Sequence, residues 1–449
     1  MSCARPGSAC RSSARLLVSP REAARAIWRA ALAAGDVAPL LRARLRLDGD
    51  TLAAGDVRFE LGGQRRVIVL GAGKAGASMA SALEGILGDH VSEGFVVVKD
   101  AHRLPSERIE LAEAGHPVPD ARGVAASTRL LALAEAAGPD DLVIVLISGG
   151  GSALTPAPAP PVTLEDKQAV TQLLLAAGAT IGELNTVRKH LSRFKGGLLA
   201  RAAWPATVLT LALSDVIGDP LDVIASGPTV PDPTRYADAL SVLERRGVAT
   251  RAPASVLARL QAGARGDIPE TPKPGDRAFE RVSNLVVGNN ALVADAARVA
   301  AEALGYRASL LTLALEGEAR AVARDLLVRA RELPSGSCLI AAGETTVTVR
   351  GPGRGGRCQE LALAAALEIP PGEGLAVLAA GTDGTDGPTD AAGALVDAGT
   401  VARGRAAGLD PVRALADNDA YAFLTATGDL VVTGPTNTNL LDLYLVLKP

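Results

Sequence analysis

The sequence predicts an α/β protein made of two successive α/β units. Three observations carry this reading. Short apolar runs alternate with helical patterns, as the strands and crossover helices of a parallel sheet do. Most of those runs empty into loops of Gly, Ser, Thr and Asp. A polar stretch at 263–283, holding Pro269, Pro272 and Pro274, separates two such series and reads as a linker. Ligands bind outside the carboxyl edge of such sheets. Two edges facing each other would make an interdomain cleft.

The elements follow in order. Glu22 to Leu47 reads as a helical lead-in, with Ala24, Ile27, Trp28 and Leu32 on one face. Val67 to Leu70 is a buried strand, Gly71-Ala-Gly73-Lys74-Ala-Gly76 a turn, and Ala77 to Leu87 a helix. That glycine spacing matches the dinucleotide fingerprint G-x-G-x-x-G. Lys74 fits it poorly: an ammonium suits a more highly charged phosphate. Gly94 to Val98 is the next strand. An acid that would hold a ribose should follow the glycines by about 20 residues. Here Lys99 ends the strand and Asp100 comes one later.

Asp141 to Ile147 is a third strand, delivering Ser148-Gly149-Gly150-Gly151-Ser152. Thr163 and Asp166 have the spacing of a capping box. Two helices follow, the second carrying Asn185, Arg188, Lys189, His190 and Lys195 before Gly196-Gly197. Val208 to Leu213 is a strand leading to Asp215 and Asp219. Beyond the linker come a strand at Asn284 to Val287, a helix at Asn290 to Leu304 and a strand at Ala308 to Leu315. Leu339 to Ala342 is a strand ending at Gly343-Glu344-Thr345, and Leu375 to Ala380 another, ending near Asp383 and Asp386. Leu430 to Thr433 and Leu441 to Leu447 read as a hairpin around Gly434 to Asn439.

Composition narrows the function. The 449 residues are 48% hydrophobic but only 2% aromatic, so the cores must be Ala, Leu and Val. A net charge of -3 gives no electrostatic reason to expect nucleic acid. No apolar run approaches the ~20 residues of a membrane span. Cys3, Cys10, Cys338 and Cys358 lack metal-ligand spacing, which suits a reducing, cytoplasmic setting. Residues 1–20 read as a disordered tail; Arg5, Arg11, Arg15 and Arg21, with no acid in the first 21 residues, leave a transit peptide as the alternative.

Several loops could carry chemistry. Ser148 to Ser152 could cradle an anion with N–H groups and hydroxyls, or could be a tight turn. It is no nucleophile elbow, because Leu146 stands where glycine is needed. Asp215 could hold Mg²⁺ or take a hydroxyl proton. Asp383 and Asp386 offer oxygen ligands of the kind Mg²⁺ shares with phosphates. Arg357, leaving Gly355-Gly356 at a helix start, could pair bidentately with a carboxylate or phosphoryl group. Only seven lysines occur, and Lys74, Lys189 and Lys195 each lie beside a candidate anion loop. His90, His102, His116 and His190 show no metal spacing and read as structural or solvated. Ala75 after Lys74 rules out Walker A.

The motifs Gly71-Ala-Gly-Lys74-Ala, Gly115-His-Pro-Val-Pro-Asp120, Ser148 to Ser152, Asn185-Thr-Val-Arg-Lys189-His-Leu-Ser, Lys195-Gly-Gly197, Ser214 to Asp219 and Ala225-Ser-Gly-Pro228 occur in one order. That order resembles the class II glycerate kinases. Gly343-Glu344-Thr345, Gly355 to Glu360 and Gly381 to Pro388 look like that family's C-terminal MOFRL domain, so the resemblance spans about residues 20–449. It implies ATP- and Mg²⁺-dependent phosphorylation of D-glycerate at the 2-hydroxyl, giving 2-phosphoglycerate and ADP. It also implies a Rossmann-like, mostly parallel domain over 21–280, a smaller mixed-sheet domain over 281–449, and an active site between them.

The family's lysine and arginine at the reacting phosphate fall on Lys74 and Arg357. Asp215 joins them as a catalytic candidate. Asp215, Asp383 and Asp386 are the candidate metal ligands. ATP contacts are expected at Gly71, Gly73, Ser148, Gly149, Gly150, Gly151, Ser152, Asn185, Lys189, Glu344 and Thr345. Cys358 departs from the family pattern, which usually has asparagine there. Two rivals remain: an NAD(P)-dependent reductase of hydroxypyruvate or tartronate semialdehyde, resting on G-x-G-x-x-G, and a non-catalytic nucleotide or sugar-acid binding protein. Neither a membrane nor a nucleic-acid partner is expected, and a homo-oligomer is compatible with the sequence.

Overall fold

The computed structural model describes residues 18–63 and 65–449. Most of the expected tail, with Cys3 and Cys10, lies outside the described residues. The chain is already ordered at Ser19, which caps the helix Pro20–Ala34 in a reciprocal capping box with Glu22. Such a cap is worth about 1 kcal/mol. The helix buries Ala23, Ala24, Ile27, Trp28 and Ala31.

The lead-in is shorter than expected. After the helix Val37–Arg44 the chain turns into a three-stranded antiparallel sheet, β1 (Leu45–Asp48), β2 (Thr51–Ala54) and β3 (Val57–Glu60). Gly49 and Gly55 supply the turns at φ of +60° and +58°. These four-residue strands are too short to show a clear period, which is why the sequence pattern missed them.

The first large sheet contains β4 (Val67–Ala72), β5 (Val91–Lys99), β6 (Ile109–Ala114), β7 (Leu142–Ile147), β8 (Thr207–Leu213) and β9 (Val282–Gly288). All its pairings are parallel, in the order β6-β5-β4-β7-β8-β9. This is the doubly wound order, whose direction reverses between β4 and β7; ligands bind at that switch point. β4 and β7 are buried along their whole length, as strands covered on both faces must be. Helices Leu164–Ala176, Ile181–His190, Tyr236–Arg245 and Ala254–Arg265 form a separate apolar cluster beside this sheet.

The second sheet contains β10 (Arg307–Leu315), β11 (Ser337–Gly343), β12 (Ala376–Gly381), β13 (Gly393–Asp397), β14 (Leu430–Val431) and β15 (Asp442–Lys448). Its order is β10-β11-β15-β12-β13-β14, and only β10 and β11 are parallel. The expected C-terminal hairpin does not form. β15 inserts between β11 and β12, while β14 pairs with β13 at the edge. Leu443, Leu445 and Leu447 enter one core and Tyr444 and Val446 another, so β15 is apolar on both faces.

The expected division at 280/281 also changes. β9 completes the first sheet, while the helix Pro20–Ala34 packs against Asn290–Ala303 and the second sheet. The 263–283 stretch is no free linker, since Thr271 is buried and donates to Asp232 at 2.9 Å. One continuous core joins the faces of both large sheets through these two helices. No described helix is long and apolar enough to cross a membrane.

Candidate functional site

Strand register builds the site. Ala72 pairs with Ile147 and Ile147 with Ala212, so the loops holding Lys74, Ser148 and Asp215 leave the first sheet nearly level. In the second sheet Gly343 and Gly381 both pair with Asp442, which brings Glu344, Thr382 and Asp442 to one edge. Side-chain hydrogen bonds join the edges. Lys74 Nζ donates to Asp383 Oδ2 at 3.1 Å, and Asn439 Nδ2 donates to Asp215 Oδ2 at 2.9 Å.

The glycine turn after β4 is closed on itself. The N–H groups of Gly73, Lys74, Ala75 and Gly76 donate to Val97 O, Gly149 O, Ser148 Oγ and Gly73 O. None of the four is left for a pyrophosphate, so the dinucleotide reading fails at its main feature. Gly71 and Gly73 therefore serve close packing instead of the expected ligand contacts. A Cβ would stand 2.5 Å from Leu146 O at Gly71 and 2.0 Å from Ser148 Oγ at Gly73.

The loop after β7 divides its work. The Ser148 hydroxyl is spent on Ala75, and Gly151 N–H donates to Ser148 O at 3.2 Å. The N–H groups of Gly149 and Gly150 make no hydrogen bond among the described residues, and they are the donors that could take an anion. Gly149 lies against Asp215: a Cβ there would be 2.0 Å from its Oδ2. Ser152 Oγ bonds Ser226 Oγ at 3.0 Å, which donates to Asn185 Oδ1 at 3.1 Å, so Ser152 and Asn185 brace the loop. Lys189 is turned away. Its buried ammonium is 3.5 Å from both Asp222 and Asp232, an internal pairing in place of the expected ligand contact. Lys195 lies beyond the helix that was expected to carry it, because that helix ends at His190.

Arg357 opens the helix Arg357–Glu368. Its Nε and Nη2 donate to Asp442 at 2.6 and 3.0 Å, and its Nη1 pairs with Glu344 at 2.7 Å. Asp442 is buried and also accepts from Tyr444 OH at 3.0 Å. The sequence reading missed Asp442, although an acid opening the apolar run Asp442-Leu-Tyr-Leu-Val-Leu447 was an available signal. Thr345 meets the same Tyr444 hydroxyl through its N–H and Oγ1, at 3.3 and 3.2 Å, and so supports the clamp instead of facing a ligand.

Asp386 also differs from expectation. Its oxygens accept the N–H groups of Cys358 and Gln359, at 3.1 and 2.8 Å, which caps the helix behind Arg357. Burial pushes its pKa up to about 7 against the lowering effect of those bonds. A carboxylate so used is not a free metal ligand. Cys358, at the position that departs from the family pattern, is fully buried.

Burial pushes Asp215 up to about 6; Lys74 opposes this while Glu344 and Asp383 add to it. Burial, with Lys74 and Lys99 nearby, pushes His116 down to about 4, so its ring is neutral at pH 7. Among the described residues no three His, Cys, Asp or Glu side chains gather into a metal site. Asp383 and Glu344 remain 19% and 47% exposed, and Mg²⁺ needs only one or two carboxylates when phosphates share it.

Two family models match the chain: "Domain of unknown function (DUF4147)" over residues 23–261, and the MOFRL family over 337–442. A protein of Agrobacterium vitis bearing a hydroxypyruvate reductase name is 46% identical over 85% of this chain and 87% of its own. The D-glycerate 2-kinase of Thermotoga maritima is 43% identical over 85% of this chain and 90% of its own. A crystal structure of glycerate kinase from Thermotoga maritima superimposes with a TM-score of 0.83 at 40% identity, covering 96% of this chain and 99% of that one.

Proposed function

The chain belongs to the glycerate 2-kinase family, and on that premise we propose that it transfers the γ-phosphoryl group of ATP to the 2-hydroxyl of D-glycerate. The products are 2-phosphoglycerate and ADP. The observation that carries this is the meeting of Lys74 with Asp383 across the two sheet edges, 3.1 Å apart, beside Asp215 and the glycine loop. The exhausted N–H groups of the first glycine turn argue against the reductase.

Phosphoryl transfer needs positioned charge and an oriented hydroxyl more than covalent chemistry. In this reading the glycerate 2-oxygen attacks the γ-phosphorus as the bond to the β,γ-bridging oxygen breaks. The hydroxyl proton passes to Asp215, whose pKa of about 6 leaves it ionised at pH 7 yet basic enough to accept. Lys74 and Arg357 Nη1 neutralise the transferring group. Asp442 holds the guanidinium plane through its other two nitrogens, so Nη1 can exchange Glu344 for a phosphoryl oxygen without losing its orientation. The free N–H groups of Gly149 and Gly150 hold an anionic oxygen beside Asp215. Asp383 and Glu344 would hold Mg²⁺, which supplies further positive charge to the phosphates when bound. The buried free thiols of Cys338 and Cys358 fit a reducing, cytoplasmic setting.

The test is a coupled assay with purified protein, ATP, MgCl₂ and D-glycerate. Enolase alone should convert the product onward. A signal that requires added phosphoglycerate mutase would overturn the 2-position, and NAD(P)H-dependent turnover of hydroxypyruvate without ATP would overturn the kinase reading.

A further inference from the structure

A cavity of about 430 Å³ opens beside the glycine loop and is lined in part by Gly150 and Ser152 of that loop. Its inner end is bounded by His116 and Gly150. A Cβ on Gly150 would lie 3.3 Å from Lys74 Cγ, so this end adjoins the reacting centre. Three basic side chains line it: Lys167, Arg188 and Lys195. Lys167 and Lys195 are only 7% and 2% exposed.

Among the described residues none of the three has an acidic partner. Lys167 Nζ donates to Pro156 O at 2.5 Å, and Lys195 Nζ to Ser152 O and Thr155 O at 2.7 and 2.9 Å. Arg188 makes no side-chain hydrogen bond among the described residues, and no carboxylate offsets the burial of any of them. Burial and mutual repulsion hold Lys167 down to about 7 and Lys195 well below the usual lysine range. Buried charges are normally paired. Three basic groups gathered without a carboxylate fit an anionic ligand, which would restore the charge that burial takes from the two amines.

The outer walls say which anion. Pro117, Pro119, Pro156, Val118 and Leu175 make them apolar. Val118 and Leu175 are 60% and 56% exposed, large aliphatic side chains left open at the rim. An apolar slot with a few convergent charges, of this volume, suits a ligand of nucleotide size. Glycerate, with three carbons, would fill a small part of it and leave the apolar walls uncovered.

We propose that this cavity is the adenine nucleotide subsite: the base lies between the proline walls and the Leu175 rim, and Lys167, Arg188 and Lys195 hold the non-transferred phosphates. The γ-phosphoryl group then points past Gly150 towards Lys74, and glycerate occupies the side of the cleft near Arg357 and Glu344. This assignment rests on the kinase reading. It goes further by separating the two substrates between the two sheet edges.

Equilibrium binding separates the assignment from that reading. Calorimetric titration with MgADP, and separately with D-glycerate, is run on the wild type, Arg188→Met and Leu175→Glu. Arg188 has no hydrogen-bond partner to strand and Leu175 is on the surface, so both variants should fold, as circular dichroism will check. Each should weaken MgADP by about tenfold or more, the scale of one charge-assisted hydrogen bond, and leave D-glycerate within about twofold. Loss of D-glycerate with MgADP retained overturns the assignment, as does parallel loss of both or no change in either. If Arg188→Met does not fold, Leu175→Glu decides alone. A wild type that binds no MgADP and shows no enolase-coupled turnover refutes the kinase reading itself. An active wild type whose variants keep MgADP refutes only the subsite.

Discussion

Replacing Lys74 by methionine separates a charge that acts on the reaction from one that merely closes the cleft. The ammonium stands 3.1 Å from an anionic oxygen of Asp383, which marks its working reach. At that separation a full unit charge is worth about 5 kcal/mol with an effective dielectric constant of about 20. If about half a unit develops opposite the ammonium in the transition state, the loss is about 2.7 kcal/mol, or about a hundredfold in kcat.

Folding should suffer far less. The Lys74 and Asp383 side chains are 21% and 19% exposed. Asp383 Oδ1 keeps the N–H and hydroxyl of Thr385 when the ammonium goes. A partly exposed pair is worth about 1 kcal/mol or less, which moves Tm by at most about 3 °C. The enolase-coupled kcat and the melting curve are measured side by side. A mutant with wild-type Tm and kcat within about threefold of wild type refutes the role given to Lys74.

Asp215 should set the acid limb of the pH profile: kcat rises with pH through about 6 and is flat above, because only the ionised carboxylate takes the proton. Its raised pKa also fixes the sign of its effect on stability. The contribution is fully present below the unfolded carboxyl pKa near 4 and is lost as pH rises through about 6. Asp215→Asn should therefore lose about a hundredfold or more in kcat while melting no lower than wild type at pH 8; a lower Tm there would contradict it. Asp442→Asn weakens a buried partner of Arg357, and guanidinium chloride unfolding should show about 2 kcal/mol lost together with a fall in kcat. An unchanged kcat would show that the clamp does not orient Arg357. Gly73→Ala puts a methyl 2.0 Å from Ser148 Oγ at a φ of +150°. It should lower Tm by several degrees and reduce kcat by moving two loops at once, and a variant with wild-type values would argue against that packing.

Periodicity and loop chemistry were enough to place β4, β5, β7, β8 and the loops after them, because buried parallel strands are continuous apolar runs. The same signal could not say which sheet β9 joins or that β15 lies between β11 and β12. Each is an apolar strand either way, and pairing partners leave no mark in a strand's own composition. Residue type alone likewise could not tell a ligand-facing group from one spent on the fold. Gly71, Gly73, Ser148, Lys189, Thr345 and Asp386 all have the chemistry of a phosphate site, yet hydrogen bonds, internal pairing or close packing within the protein occupy them.

The sequence by itself determined the α/β class and the family, because these rest on residue order; Lys74 and Arg357 it offers as candidates, on chemistry that few side chains can supply. Only the tertiary structure decided which donors stay free, that Asp442 holds Arg357, and that Lys167, Arg188 and Lys195 share one cavity. Those facts depend on distances between residues far apart in the chain, and burial sets their electrostatics: a carboxylate is raised or an amine lowered by the neighbours that folding brings to it.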